Sequence, residues 1–123
     1  MQDSTMKTIF SSPRMFSVFS YAMPHGALLL RSGKTPANPT RVDILFQDVR
    51  AMEIRASFDG IRIEECDRSF LKQFGGSPIA LMEEGNRAYR LQGHDWQGYI
   101  LAGVVLSHED QGELLEPSQL LAA

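Results

Sequence analysis

The sequence predicts a mainly β domain, a β-rich α+β fold of seven to eight short antiparallel strands. Three observations carry this. Apolar residues alternate with polar ones over many short runs; turn residues punctuate those runs; and the connections are too short for parallel crossovers, which need a dozen residues or more. A bent sheet, a sandwich and a partly open barrel all satisfy the pattern. Its 123 residues, 43% hydrophobic and 22% charged, fit one globular domain. Residues 1–12 are set apart as a loosely attached lead, and 107–123 as an acidic C-terminal segment.

The elements follow in order. Met15 to Met23 carries Phe16, Val18, Phe19 and Tyr21, which suit a strand. Pro24-His25-Gly26 is a turn, because Pro fixes φ and Gly tolerates positive φ. Ala27 to Arg31 is the return strand. Ser32 to Thr40, with two prolines and a glycine, is a loop. In the next run Val42, Ile44 and Phe46 face inward while Arg41, Asp43 and Gln47 face water, and further on Met52 and Ile54 face inward. Between the two runs the parity inverts, which requires a bulge or sharp bend near Gln47–Arg50, or a single helical turn.

Asp59-Gly60 is the strongest local signal and predicts a tight hairpin turn, with Ile61 to Glu65 as the return strand. The period then changes. Asp67 caps a short amphipathic helix at about 67–74 that presents Phe70, Leu71 and Phe74, with Gly75 at its end. Ile79 to Met82 and the run around Tyr89 and Leu91 read as strands. Trp96 to Leu106 is apolar on both parities, as in a strand covered on both sides. The 67–74 helix, a second sheet or another subunit are the available covers. Pro117 followed by Leu120-Leu121 predicts a short C-terminal helix.

Composition bears on function too. Twelve Lys and Arg against fifteen Asp and Glu give a net charge of −3, which argues against nucleic acid as a partner. Disulfides are common in small secreted domains, so a single cysteine, Cys66, favours a reducing compartment. The longest apolar run, Ile100 to Leu106 with Gly103 inside it, is far short of a membrane span. The expectation is a cytoplasmic chain with no membrane partner.

Motifs are sparse. Ser32-Gly33-Lys34-Thr35 imitates the end of a phosphate-binding loop, but Leu28 stands where the earlier glycine belongs, and Pro36 opposes the required helix. No histidine lies within four residues of another or of Cys66, so neither a metal nor a cofactor is expected. Carboxylates at 64, 65 and 67 oppose a Cys66 thiolate. Glu64-Glu65 and Glu83-Glu84 read as solvated pairs. In His94-Asp95-Trp96, Asp95 is expected to bond local backbone amides.

Two functional readings emerge. The first is a non-enzymatic protein-interaction module that binds a protein partner or self-associates through sheet edges or the apolar outer side of strand 96–106. Its C-terminal acids Glu109, Asp110, Glu113 and Glu116 would steer a basic partner. The second is a barrel-like pocket for a small apolar or anionic ligand. His94, Trp96, Tyr99 and Arg31 are its lining residues; Phe19 and Tyr21 are further aromatic candidates, and Arg41 is an alternative source of charge.

Overall fold

The computed structural model describes residues 6–23 and 26–121. Eight antiparallel strands build one sheet: β1 (Lys7–Ala22), β2 (Ala27–Ser32), β3 (Arg41–Gln47), β4 (Ala51–Glu53), β5 (Ser57–Cys66), β6 (Arg87–Gln92), β7 (Gln97–Ala102) and β8 (Val104–Asp110). Their spatial order is β4-β7-β6-β5-β1-β2-β3-β8. Laid flat, eight strands would put β4 and β8 roughly 34 Å apart. Yet three residues join β3 to β4 and Gly103 alone joins β7 to β8, and these links span no more than about 14 and 7 Å. The sheet is therefore rolled, so that its two ends meet. Gln47 pairs with Val104 and Ala51 with Leu101. Between them, Arg50 N–H donates to the Leu101 carbonyl and Gly103 N–H to that of Gln47. Of the three shapes the pattern allows, this is the partly open barrel; β4 and β8 each keep one edge without a strand partner.

The parity inversion near Gln47–Arg50 produces the expected bend. Asp48 takes φ 59°, a left-handed conformation that aspartate tolerates. Packing fills the interior. Phe16, Leu28, Leu30, Ile44, Phe46, Phe58, Ile63, Leu91, Ile100 and Ala102 are buried there. Phe46 meets Tyr89 edge to face at 5.5 Å, and Phe58 stacks on Trp96 at 4.9 Å. Strand β7 is apolar on both sides for the expected reason. Ile100 and Ala102 face the interior, while Tyr99 and Leu101 face a second cluster with Leu71, Phe70, Phe74 and Ile79. Of the three available covers, the 67–74 segment provides this one, but only over β7: past Gly103, Val104 and Leu106 of the same run are 39% and 41% exposed.

Several elements differ from their sequence signals. Asp59-Gly60 is not a hairpin turn. Strand β5 runs through it, with Gly60 at φ 83°, and the register against β1 shifts between Ser12 and Met15. This is a bulge, in which positive φ lets β5 follow the longer β1 path around Pro13 and Arg14. The reversal falls instead at residues 54–56. The 67–74 helix is a 3-10 segment, Arg68–Gln73, with Asp67 capping the Ser69 N–H as expected. Residues 79–82 are not a strand: Pro78–Leu81 forms a 3-10 turn, favoured by Pro at its start. Residues 111–121 make turns, and the expected C-terminal helix is absent among the described residues. Lys7–Ser12, read as part of a loose lead, instead continue β1 along β5. Pro24 and His25 lie outside the described residues. No helix among those described is long and apolar enough to cross a membrane.

The bulge gives a test of the backbone reading. Gly60→Val should destabilise the fold by about 1–2 kcal/mol, the cost of a left-handed conformation for a side-chain-bearing residue. Gly75→Ala, whose added Cβ meets nothing within 4 Å, should change stability by less than about 0.5 kcal/mol. Urea denaturation of both variants checks this; equal effects would reject the bulge assignment.

Candidate functional site: an arginine-braced cleft beside the C-terminal segment

The outer face of β2 and β3 carries charge that is out of water. Register places Arg31 opposite Asp43. Both side chains are 1% exposed, as is that of Arg41. Removing such ions from water is costly unless every donor and acceptor is met. Here they are met in a chain. Arg31 grips Asp43 with two bonds, Nε to Oδ1 at 2.7 Å and Nη2 to Oδ2 at 3.1 Å. Arg41 grips Asp110 the same way, both bonds at 3.1 Å. The forked geometry of guanidinium suits this paired recognition of carboxylates.

The remaining arginine donors reach the chain's own C-terminal segment. Arg31 Nη1 donates to the Leu114 and Glu116 carbonyls at 2.5 and 2.9 Å. Arg41 donates to the carbonyls of Glu113, Glu116 and Pro117 at 2.7, 2.9 and 3.3 Å. Gly112 is needed for this approach, because a Cβ there would sit 2.6 Å from the Arg41 guanidinium. Asp110 anchors the start of the segment. The Gly112 N–H lowers its carboxyl pKa most, with Arg41 and His108 adding in the same direction against the opposing effect of burial.

Beside this brace lies a cleft of about 450 Å³, whose lining includes Arg14, Met15, Phe19, Arg31, Lys34 and Leu114. Strand alternation and the pairing of Ser17 with Arg31 bring Met15 and Phe19 to this outer face. A register shift between Val18 and Ser20 then lets the Phe19 ring lie over the Arg31 guanidinium, 4.1 Å away. The cations on the cleft are already engaged. Arg14 donates to Ser32 Oγ and to the Thr40 side chain and carbonyl. Lys34 Nζ bonds the Gln111 carbonyl and Glu113. What the cleft offers a ligand is therefore mainly apolar surface: Met15, Phe19 and Leu114 are 56%, 38% and 54% exposed. The Ser-Gly-Lys-Thr run is not a phosphate cradle, since Thr35 and Asn38 close it by exchanging backbone bonds.

Residues singled out in the sequence are dispersed. Arg31 lines this cleft, with Phe19. His94 borders a shallow depression with Asp59 and Gly60. Trp96 packs into the interior, and its Nε1–H is buried without a partner. Tyr99 joins the outer aromatic cluster, its ring 4.7 Å from Phe74. Burial, then the charge of Glu53, raises the pKa of its hydroxyl. Asp95 bonds Arg55 at 3.3 Å rather than local amides. Each of the four C-terminal acids has a partner within the chain. Glu109 accepts from Thr40, Asp110 pairs with Arg41, Glu113 with Lys34, and Glu116 accepts the Glu113 N–H. Glu64 is buried against Arg90 at 2.6 Å, not solvated. Burial pushes the Cys66 thiol up to about 12, and the flanking carboxylates add to this after the opposing effect of Arg90. No group of three His, Cys, Asp or Glu placed to hold a metal occurs among the described residues.

Sequence reasoning missed the brace itself. Alternation assigned Arg41 and Asp43 to water. The available signal was Arg31, Arg41 and Asp43 at outward positions of adjacent strands, each within reach of the others.

Two measurements test the brace. Asp43→Ala leaves buried guanidinium charge without its carboxylate and should cost about 3–5 kcal/mol in urea denaturation. Asp110 governs acid behaviour. Its folded pKa lies below the ordinary aspartate value of about 3.9, so its stabilising contribution is complete above that value and is lost as pH falls through the folded pKa. Attachment of residues 111–121, followed by amide NMR, should weaken below about pH 4. Asp110→Asn should remove that acid dependence. Compared with protein-family models, curated proteins and solved structures, the chain matches none, and the chemistry of this surface rests on its own geometry.

Proposed function

We propose that the protein is a non-enzymatic protein-interaction module whose contact surface is the cleft between β1, the 33–40 loop and the C-terminal segment. The observation that carries this is the contrast between a filled interior and an apolar cleft outside it. Aliphatic and aromatic side chains occupy the barrel centre, while Met15, Phe19 and Leu114 present apolar surface on the cleft. Such exposed apolar surface, rimmed by polar groups, is characteristic of partner contacts. An inserted apolar side chain from a partner supplies most of the affinity. Glu109, which lies on β8 and remains largely exposed, steers encounter with a basic rim, because ion pairs in water are weak enough to exchange.

Self-association through β7 is disfavoured by the aromatic cluster over Tyr99 and Leu101. The second reading is a small-molecule ligand in the same cleft. Of the residues assigned to that reading, Arg31 and Phe19 border the cleft, which lies outside the barrel, whereas His94, Trp96 and Tyr99 do not. The engaged donors of Arg14 and Arg31 favour an apolar ligand over an anionic one.

Photo-cross-linking in the source cells tests the module. A cross-linking residue in place of Met15 or Phe19 should yield one defined protein adduct, and the same residue in place of Arg68, on the opposite covering layer, should not. Met15→Ser should weaken association with the adduct protein at least about tenfold while changing stability by less than about 1 kcal/mol. Adducts that do not depend on position, or their absence from the cleft, would reject the reading.

A further inference from the structure

The C-terminal segment is gripped in an unusual way. All five bonds from Arg31 and Arg41 to residues 113–117 end on main-chain carbonyl oxygens. The side chains contribute less. Leu114, Leu115 and Leu121 are 54%, 80% and 46% exposed, and the Lys34–Glu113 pair is open to water. The segment makes only turns, so its detachment breaks no strand or helix. The barrel face thus reads main-chain carbonyls, with one acidic side chain, Glu113, set on Lys34.

We propose that the face formed by Arg31, Arg41 and Lys34 is a binding site for an acidic polypeptide segment in a turn conformation, and that the chain's own residues 111–121 occupy it as a displaceable internal competitor. This rests on the interaction-module reading and adds its regulation. Leu114 is a wall of the cleft, so release of the segment opens the cleft and the backbone-reading face together. A tethered occupant acts at an effective concentration on the order of millimolar. A partner segment displaces it only when further contacts, such as those with Met15 and Phe19, add to its binding.

The test uses the full chain and a fluorescent synthetic peptide with the sequence of residues 113–121. Gly112→Ala presses a methyl group against the Arg41 guanidinium and loosens the internal segment without altering the peptide. The peptide should bind the Gly112→Ala chain saturably and at least about fivefold more tightly than the parent chain. Added salt should weaken that binding. The double variant Gly33→Cys, Leu114→Cys joins positions already in contact (a Cβ on Gly33 lies 3.0 Å from Leu114 Cδ1). Added to the Gly112→Ala chain, this pair should abolish peptide binding when oxidised, and reduction should restore it. Absence of saturable binding to the Gly112→Ala chain, or equal binding to oxidised and reduced forms, overturns the proposal.

Hydrogen exchange provides a readout independent of the variants. The Glu113 and Glu116 amides should exchange through openings that leave β2 and β3 protected. Exchange only on global unfolding also overturns the proposal. Loss of peptide binding with position-specific adducts at Phe19 intact would reject the internal competitor and leave the interaction module standing.

Discussion

The rolling of the sheet is the constraint on which the rest of the structure depends. Two strand-length runs, 41–53 and 97–110, each bend once, at Asp48–Arg50 and at Gly103. Because they pair with each other on both sides of the bend, the first and last strands of the sheet are held end to end. One face of every strand must then point into a confined volume, and large side chains fill it. This closure also limits the exposed edges that make open sheets prone to unwanted pairing.

Closure leaves the outer face as the place where the chain differentiates itself. Over β7 the cover is aromatic, with Phe70 and Phe74 packed towards Tyr99. Over β2 and β3 it is polar and charged, with two arginines bridging strands to the C-terminal segment. The first cover works by area removed from water. The second works by satisfaction of donors, so it depends on each partner being present. One side of the barrel is accordingly a layer of apolar packing, and the other is a layer attached by hydrogen bonds and ion pairs to Arg31, Arg41 and Lys34.

Much of the architecture was legible in the sequence because alternation is local. Val42, Ile44 and Phe46, the parity inversion at Gln47–Arg50 and the two-sided run through Ile100 each describe their own surroundings. Asp59-Gly60 misled because its local chemistry fits either a turn or a bulge, and only the path of β1 around Pro13 and Arg14 decides between them. Ile79-Ala-Leu-Met failed for a similar reason, since a four-residue apolar run has no period of its own. The candidate site was least legible. Arg31 was singled out, but as one of four residues that the fold disperses; His94, Trp96 and Tyr99 end up on other surfaces or in the core. Conversely, Leu114 and Arg31 are 83 residues apart and meet only through space.

The lone cysteine has a consequence of its own. Cys66 is the last residue of β5, pairs with Ala88 and donates its S–H to the Ala88 carbonyl. A thiol so placed is shielded by the β5–β6 pairing and by the 3-10 cover over it, and loosening of either exposes it to reagents. The chain thus carries a native chemical reporter, without any introduced label, on the loosening of this end of β5 and of the layer that covers it.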